Sequence, residues 1–307
     1  MKRFIFGGLV ICLLALSGGF FMTVRAVVHA AQPSGGQTTV TSSFPISSQR
    51  LKDLVHQTLG QEAADSIGHR VTQPLAIHAS AHPILPLIQT RATTSSRLHA
   101  KTQERYGTSP IDAAYLTDAE GVSWVQGAGG FFNVASVPLP AVSVLTAIAV
   151  GNSDSSAQIN VGVDQTEKLA VLTFNHGREW DLFSVNANDQ MDAEIYLDGN
   201  TNQWLIFIED LTTRTSFGQE FAYTNYLTRA AWTTQVAFGG PVPSMNMISF
   251  TNARWVSNWD GWQPITSSAA AYYVQLTLRT QYGGRISPTQ PDSSGTSFTL
   301  IPCPSCS

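Results

Sequence analysis

From about residue 111 onward, apolar and polar positions alternate in short runs instead of on a helical period, which predicts strands. Gly129 to Pro138 alternates and ends in proline, and Val142 to Val150 is continuously apolar up to Gly151-Asn152. Further runs lie at 158–163, 169–174, 191–197, 204–209, 217–223, 232–238, 247–250, 272–278 and 297–301. Between them stand turn formers: Asp198-Gly199-Asn200, Gly239-Gly240-Pro241 and Gly283-Gly284. About ten strands at this spacing predict an all-β fold, a two-sheet antiparallel sandwich or a barrel. No helical pattern fits between strands, so parallel βαβ units are excluded.

The front of the chain reads differently. Lys2 and Arg3 precede an uncharged stretch from Phe4 to Val24, and Val28-His29-Ala30 offers a small-x-small cleavage site. This predicts a signal peptide over residues 1–31, cut after Ala30 or Ala31, and a secreted protein. The stretch is long enough to span a bilayer, so the alternative is an uncleaved anchor at the cell surface; only then is a membrane a partner. Residues 32–110 have the texture of a loosely structured pro-segment or linker, with Ser34-Gly35-Gly36 and one amphipathic helix capped by Ser48. The strand-rich domain then spans 111–302, and 303–307 form a tail.

Charge sharpens this division. Charged residues are only 12% of the chain, about half the usual share. Residues 1–107 carry a net charge of +6 and residues 108–307 a net −10, giving the overall −4. A mildly acidic chain has no electrostatic case for nucleic acid. The basic segment 32–110 is instead expected to dock on its own acidic domain. The domain is expected to be a monomer.

Candidate chemistry narrows first by absence. Beyond residue 110 there is one histidine, His176, and the only cysteines are Cys303 and Cys306. No metal site, cofactor or Cys–His dyad is expected. His56, His69, His78, His82 and His99 lie upstream at scattered spacing, which suits solvated histidines better than ligands. There is no Gly-x-Ser-x-Gly elbow and no glycine-rich phosphate loop. Three cysteines cannot staple a scaffold: Cys12 is apolar filler, and Cys303-Pro304-Ser305-Cys306 is expected to close a small disulfide loop. What remains is carboxylate or amide chemistry in a sheet-lined groove, or no chemistry.

Several motifs, in order, resemble the glutamic peptidases called eqolisins. They are Ser123-Trp124-Val125, Val134-Ala135-Ser136-Val137-Pro138, Ala149-Val150-Gly151 and Asn160-Val161-Gly162-Val163-Asp164, followed by Ile208-Glu209-Asp210-Leu211-Thr212-Thr213, Arg229-Ala230-Ala231-Trp232-Thr233-Thr234-Gln235 and Phe250-Thr251-Asn252-Ala253. The resemblance covers residues 120–301. It implies a concanavalin A-like sandwich, secretion, a basic pro-segment, and acid endopeptidase activity. It also implies a glutamate acting as general base and acid, with a glutamine holding the water and the oxyanion.

Both dyad positions are substituted in this sequence. The family's Gln-x-Gly-x-Asp falls on Asn160 to Asp164, and its glutamate falls on Gln235. An amide cannot act as general base. Gln158, on the same strand face as Asn160, can supply a longer amide. Asn160 and Gln235 are expected to project from neighbouring strands into one concave face. Asp164, Trp232 and a Trp-rich loop carrying Trp255, Trp259 and Trp262 are the candidate substrate-binding residues, set against a packed-loop reading of that loop. The expectation is a protein that binds extended polypeptide or glycan in the groove with impaired hydrolysis. The alternative is an active, pepstatin-insensitive acid endopeptidase using a shifted constellation.

Overall fold

The computed structural model describes residues 41–42 and 103–306, apart from 122, 139–141, 153–156, 176–178, 200, 224–225, 238–239 and 259–260. The expected signal peptide, most of the expected pro-segment, Cys12 and His176 lie outside the described residues.

These residues form seventeen strands, with no helix among them. In chain order they begin β1 (Thr41–Ser42), β2 (Gln103–Ser109), β3 (Asp112–Asp118), β4 (Val125–Asn133), β5 (Val144–Gly151) and β6 (Gln158–Asp164). Next come β7 (Leu169–Phe174), β8 (Glu179–Ser184), β9 (Gln190–Asp198), β10 (Gln203–Asp210), β11 (Thr215–Ala222) and β12 (Arg229–Val236). The last are β13 (Ile248–Ser257), β14 (Trp262–Pro264), β15 (Tyr272–Arg279), β16 (Arg285–Pro288) and β17 (Phe298–Cys303).

Two sheets result. The first runs β8-β7-β6-β5-β12-β3-β15-β2. The second runs β1-β11-β10-β9-β4-β13, with β14 and β17 on β13. Strand β16 bridges β15 to β17 and joins the two by hydrogen bonds along one side. The all-β, largely antiparallel architecture agrees with the sequence pattern. One pairing departs from it: β2 and β3 are consecutive, yet β15 lies between them, parallel to β2 and antiparallel to β3. Strand β2 also falls on the pro-segment side of the expected boundary at 110.

Alternation explains why the two faces of the first sheet differ. On β6, Ile159, Val161 and Val163 join the main core, while Gln158, Asn160, Gly162 and Asp164 face the other way. On β12, Ala230, Trp232 and Val236 point inward, so Arg229, Ala231, Thr233 and Gln235 point outward. Each buried valine or isoleucine contributes about 1.5–3 kcal/mol. Trp232 also ties the sheets together, its indole N–H donating to the Gly129 carbonyl of β4 at 3.0 Å. The outer face of the first sheet carries a smaller apolar cluster of its own: Ala114, Leu116, Ala149, Ala231, Val274 and Leu276, all buried. At the far end of the fold, Cys303 and Cys306 form the expected disulfide, with Cα atoms 5.5 Å apart.

Candidate functional site

The ladder registers of the first sheet arrange its outward side chains in rows across the strands. One row reads Tyr272–Asp118–Arg229–Gly151–Gln158. The next reads Val274–Leu116–Ala231–Ala149–Asn160–Thr173. A third, Leu276–Ala114–Thr233–Ala147–Gly162–Val171, is built of small and apolar residues. Gly162 is required there: a Cβ would sit 2.0 Å from the Thr146 carbonyl oxygen. The fourth reads Asp112–Gln235–Leu145–Asp164.

Asn160 and Gln235 therefore share a face but do not meet. Strand β5 separates them, and their rows are four residues apart along β12. Standard sheet spacings put their Cα positions roughly 16 Å apart. The expectation that they project from neighbouring strands is corrected accordingly. Asn160 is instead engaged locally, in a chain where Gln158 Nε2 donates to its Oδ1 at 2.6 Å and its Nδ2 donates to Thr173 Oγ1 at 2.8 Å.

Gln235 has a different neighbour, one that the sequence motifs did not point to. Directly across the β12–β3 ladder is Asp112, whose side chain contacts Gln235 and accepts a 3.2 Å hydrogen bond from Ser109 Oγ. Asp112 is 0% exposed and Gln235 4%. Burial pushes the Asp112 carboxyl up to about 7, with the contacts to Ser109 and Gln235 pulling partly the other way. One carboxyl oxygen, Oδ1, is buried without a hydrogen-bond partner. The fold thus sets a carboxyl beside the Gln235 amide.

At the opposite end of the same face lies a buried ion pair. Arg229, 6% exposed, donates from Nη2 and Nε to Asp118 Oδ2 at 2.6 and 3.1 Å, and the Tyr272 hydroxyl donates to the same oxygen at 2.8 Å. Burial, then the Asp118 charge, raise the Tyr272 hydroxyl above its ordinary value. The Arg105 guanidinium lies 3.6 Å over the Tyr272 ring, tying β2 to this corner.

The other candidate residues find structural work. Asp164 Oδ1 accepts from the backbone N–H groups of Thr166 and Glu167 at 2.7 and 2.9 Å, and its Oδ2 accepts from Ser143 Oγ, which caps a turn. Trp232 and Trp255 are fully buried, and the Trp255 indole N–H donates to the Pro264 carbonyl at 3.0 Å. Neither offers a platform to a ligand, because their rings are spent on the core. Trp262 is half-buried and stacks on Tyr196. Trp259 lies outside the described residues.

The second sheet holds an acidic group that the sequence motifs did not single out. Asp192 on β9 stands opposite Glu209 on β10, with Glu194 two residues along the same face. All three are buried. Burial first, then the charges of Glu194 and Glu209, hold the Asp192 carboxyl well above its ordinary range. Among the described residues no cluster has the makings of a metal site, and no helix is long and apolar enough to cross a membrane.

No family model matches the sequence, and no curated protein matches it. Solved structures do. Scytalidoglutamic peptidase bound to a peptide-based transition-state analogue superposes with a TM-score of 0.51 at 14% identity, over 63% of this chain and 98% of that one. The same peptidase with a transition-state analogue inhibitor gives 0.50 at 13% identity over the same shares. At such low identity the likeness is one of fold. This chain has the fold of the glutamic peptidases, the eqolisins, the family that its motifs resemble.

Proposed function

We propose that this is a secreted protein of the eqolisin type that holds extended polypeptide on the outer face of its first sheet, with hydrolysis at the family's dyad positions impaired. The reading rests on the sequence motifs, which align Gln235 and Asn160, both amides, with the family's dyad. Neither can take a proton from water. The basic segment 32–110, following signal peptide 1–31, is the domain's own polypeptide partner in this reading. Its last strand, Gln103–Ser109, already pairs in extended form with β15 at the edge of that sheet, next to the face. The test is cleavage of denatured casein between about pH 2 and 5, where a family enzyme with its carboxyl in place works. Little or no cleavage is expected; robust pepstatin-insensitive cleavage in that range overturns the reading.

One observation favours a second reading, an endopeptidase with a shifted constellation. Asp112 is the carboxyl and Gln235 the amide. The Asp112 carboxylate takes a proton from water, the resulting hydroxide adds to the scissile carbonyl, and a Gln235 N–H donates to the oxyanion. The proton then passes to the leaving nitrogen as the C–N bond breaks. A carboxyl held at about 7 is a base only toward neutral pH. Such hydrolysis rises with pH through that value, unlike that of an acid peptidase, and a full pH profile separates the two readings.

A further inference from the structure

A groove on the second sheet lies where β4 ends and β9 and β13 begin. Its volume is about 670 Å³, within the range that encloses a ligand of small-peptide size. Gln190 and Asn133 stand directly opposite each other across the β9–β4 ladder. Asn133 builds the rim: its Nδ2 donates to the Met247 carbonyl at 3.0 Å, and its Oδ1 accepts from the Ser249 N–H at 2.7 Å. Asn188, Gln190 and Asn246 are exposed around this frame, and Met247 is 57% exposed beside half-buried Met245. No charged side chain lines the groove.

We infer that this amide-lined groove is a second binding site, for an extended, uncharged stretch of polypeptide. A primary amide offers a donor and an acceptor side by side, the same pair that a peptide group presents, so amides grip main chain without regard to side chains. Methionines are unbranched and polarisable, and they adapt to whichever side chains lie between those grips. A charged ligand would give up hydration here and meet no counter-charge. A hexose would present its apolar face to a flat aromatic ring, and the lining contains none. The site shares no residue with the Gln235 face, so it stands or falls independently of the function proposed above.

Peroxide oxidation of Met245 and Met247 in the secreted protein, read by peptide-mapping mass spectrometry, tests this. The probes are a capped peptide of about twelve Gly, Ser, Asn and Leu residues, long enough to overrun the groove, and a β-linked glucose hexamer. The peptide is expected to slow oxidation of Met247 several-fold, equally at about pH 4 and about pH 7, because no lining group titrates between them, and equally at high salt. Replacing Gln190 and Asn246 together by alanine should raise the half-protecting peptide concentration about tenfold, the worth of one to two neutral hydrogen bonds. No protection, protection that collapses with salt, or protection by the sugar in place of the peptide would each overturn the assignment. The footprint reads this groove alone, so failure of the casein result and failure here are told apart.

Discussion

On the outer face of the first sheet, three carboxyls, a guanidinium and three amides are sunk among alanines and leucines, and all are buried. Around the groove of the second sheet, amides of the same chemistry stand in solvent, and no charged side chain lines the groove. The contrast teaches that environment, more than residue type, decides what an amide can do. Gln235 lies against a carboxyl whose protonation is shifted by burial, so its surroundings change with pH. Gln190 and Asn246 face water, and their hydrogen bonding stays constant from acid to neutral.

The sharpest way to break this comparison is to remove the carboxyl. If Asp112 carries hydrolysis, Asp112→Asn should lower the rate by about a hundred- to ten-thousand-fold, the usual worth of a general base. Adding Gln235→Glu to that variant should recover part of the loss and move the pH profile toward acid. Rates measured on a fluorogenic peptide library decide it, with no effect of Asp112→Asn sinking the shifted constellation.

Next in size is the buried ion pair. Arg229→Met leaves Asp118 as an uncompensated buried charge and should cost about 3–5 kcal/mol in urea denaturation at neutral pH. A cost under about 1 kcal/mol would mean that the pair behaves like a surface contact.

Stability itself should depend on pH through Asp112. Its carboxyl titrates at about 7 in the fold against 3.8 in the free side chain, so the folded state holds an extra proton between those values. The associated stability is present in full below about 3.8 and is lost as pH rises through about 7, on the order of 4 kcal/mol. Asp192 acts in the same direction. Denaturation series at several pH values should show the wild type weakening on the way to neutral and Asp112→Asn with a flatter profile. The smallest effect belongs to the other sheet: Gln190→Ala should change stability by less than about 0.5 kcal/mol at any pH, as an exposed amide does.

Most of the fold was legible where one face of a strand is core and the other is not. The alternation on β6 and the apolar run of β5 placed both strands within a residue or two. Strand β3 escaped because all seven of its residues are buried, so it shows no alternation, and its aspartates at both ends look like loop. Strand β8 escaped because Glu179-Trp180-Asp181 resembles a polar turn, although five of its six residues are at least half-buried. The site was less legible for a different reason. Sequence spacing can say that Asn160 and Gln235 share a face, but the row each occupies depends on the register through β5, and register is set by long-range pairing. The same ignorance hid Asp112, whose partner strand is distant in the chain. Trp232 and Trp255 could not be sorted from sequence because a large ring serves a core and a platform equally well on paper, and both are core.

The placement of β15 between β2 and β3 has a consequence for the order of assembly. Both flanking strands leave the ribosome well before Tyr272–Arg279 exists, so the gap between them cannot be filled until synthesis nears its end. Closing it joins residues of very large sequence separation, the slowest kind of contact to form. Until then β2 lacks the strand it pairs with among the described residues, and Gln103–Ser109 lies open to a protease that reaches the nascent chain. The strand Gln103–Ser109 is thereby locked into the sheet only once the back of the domain is complete.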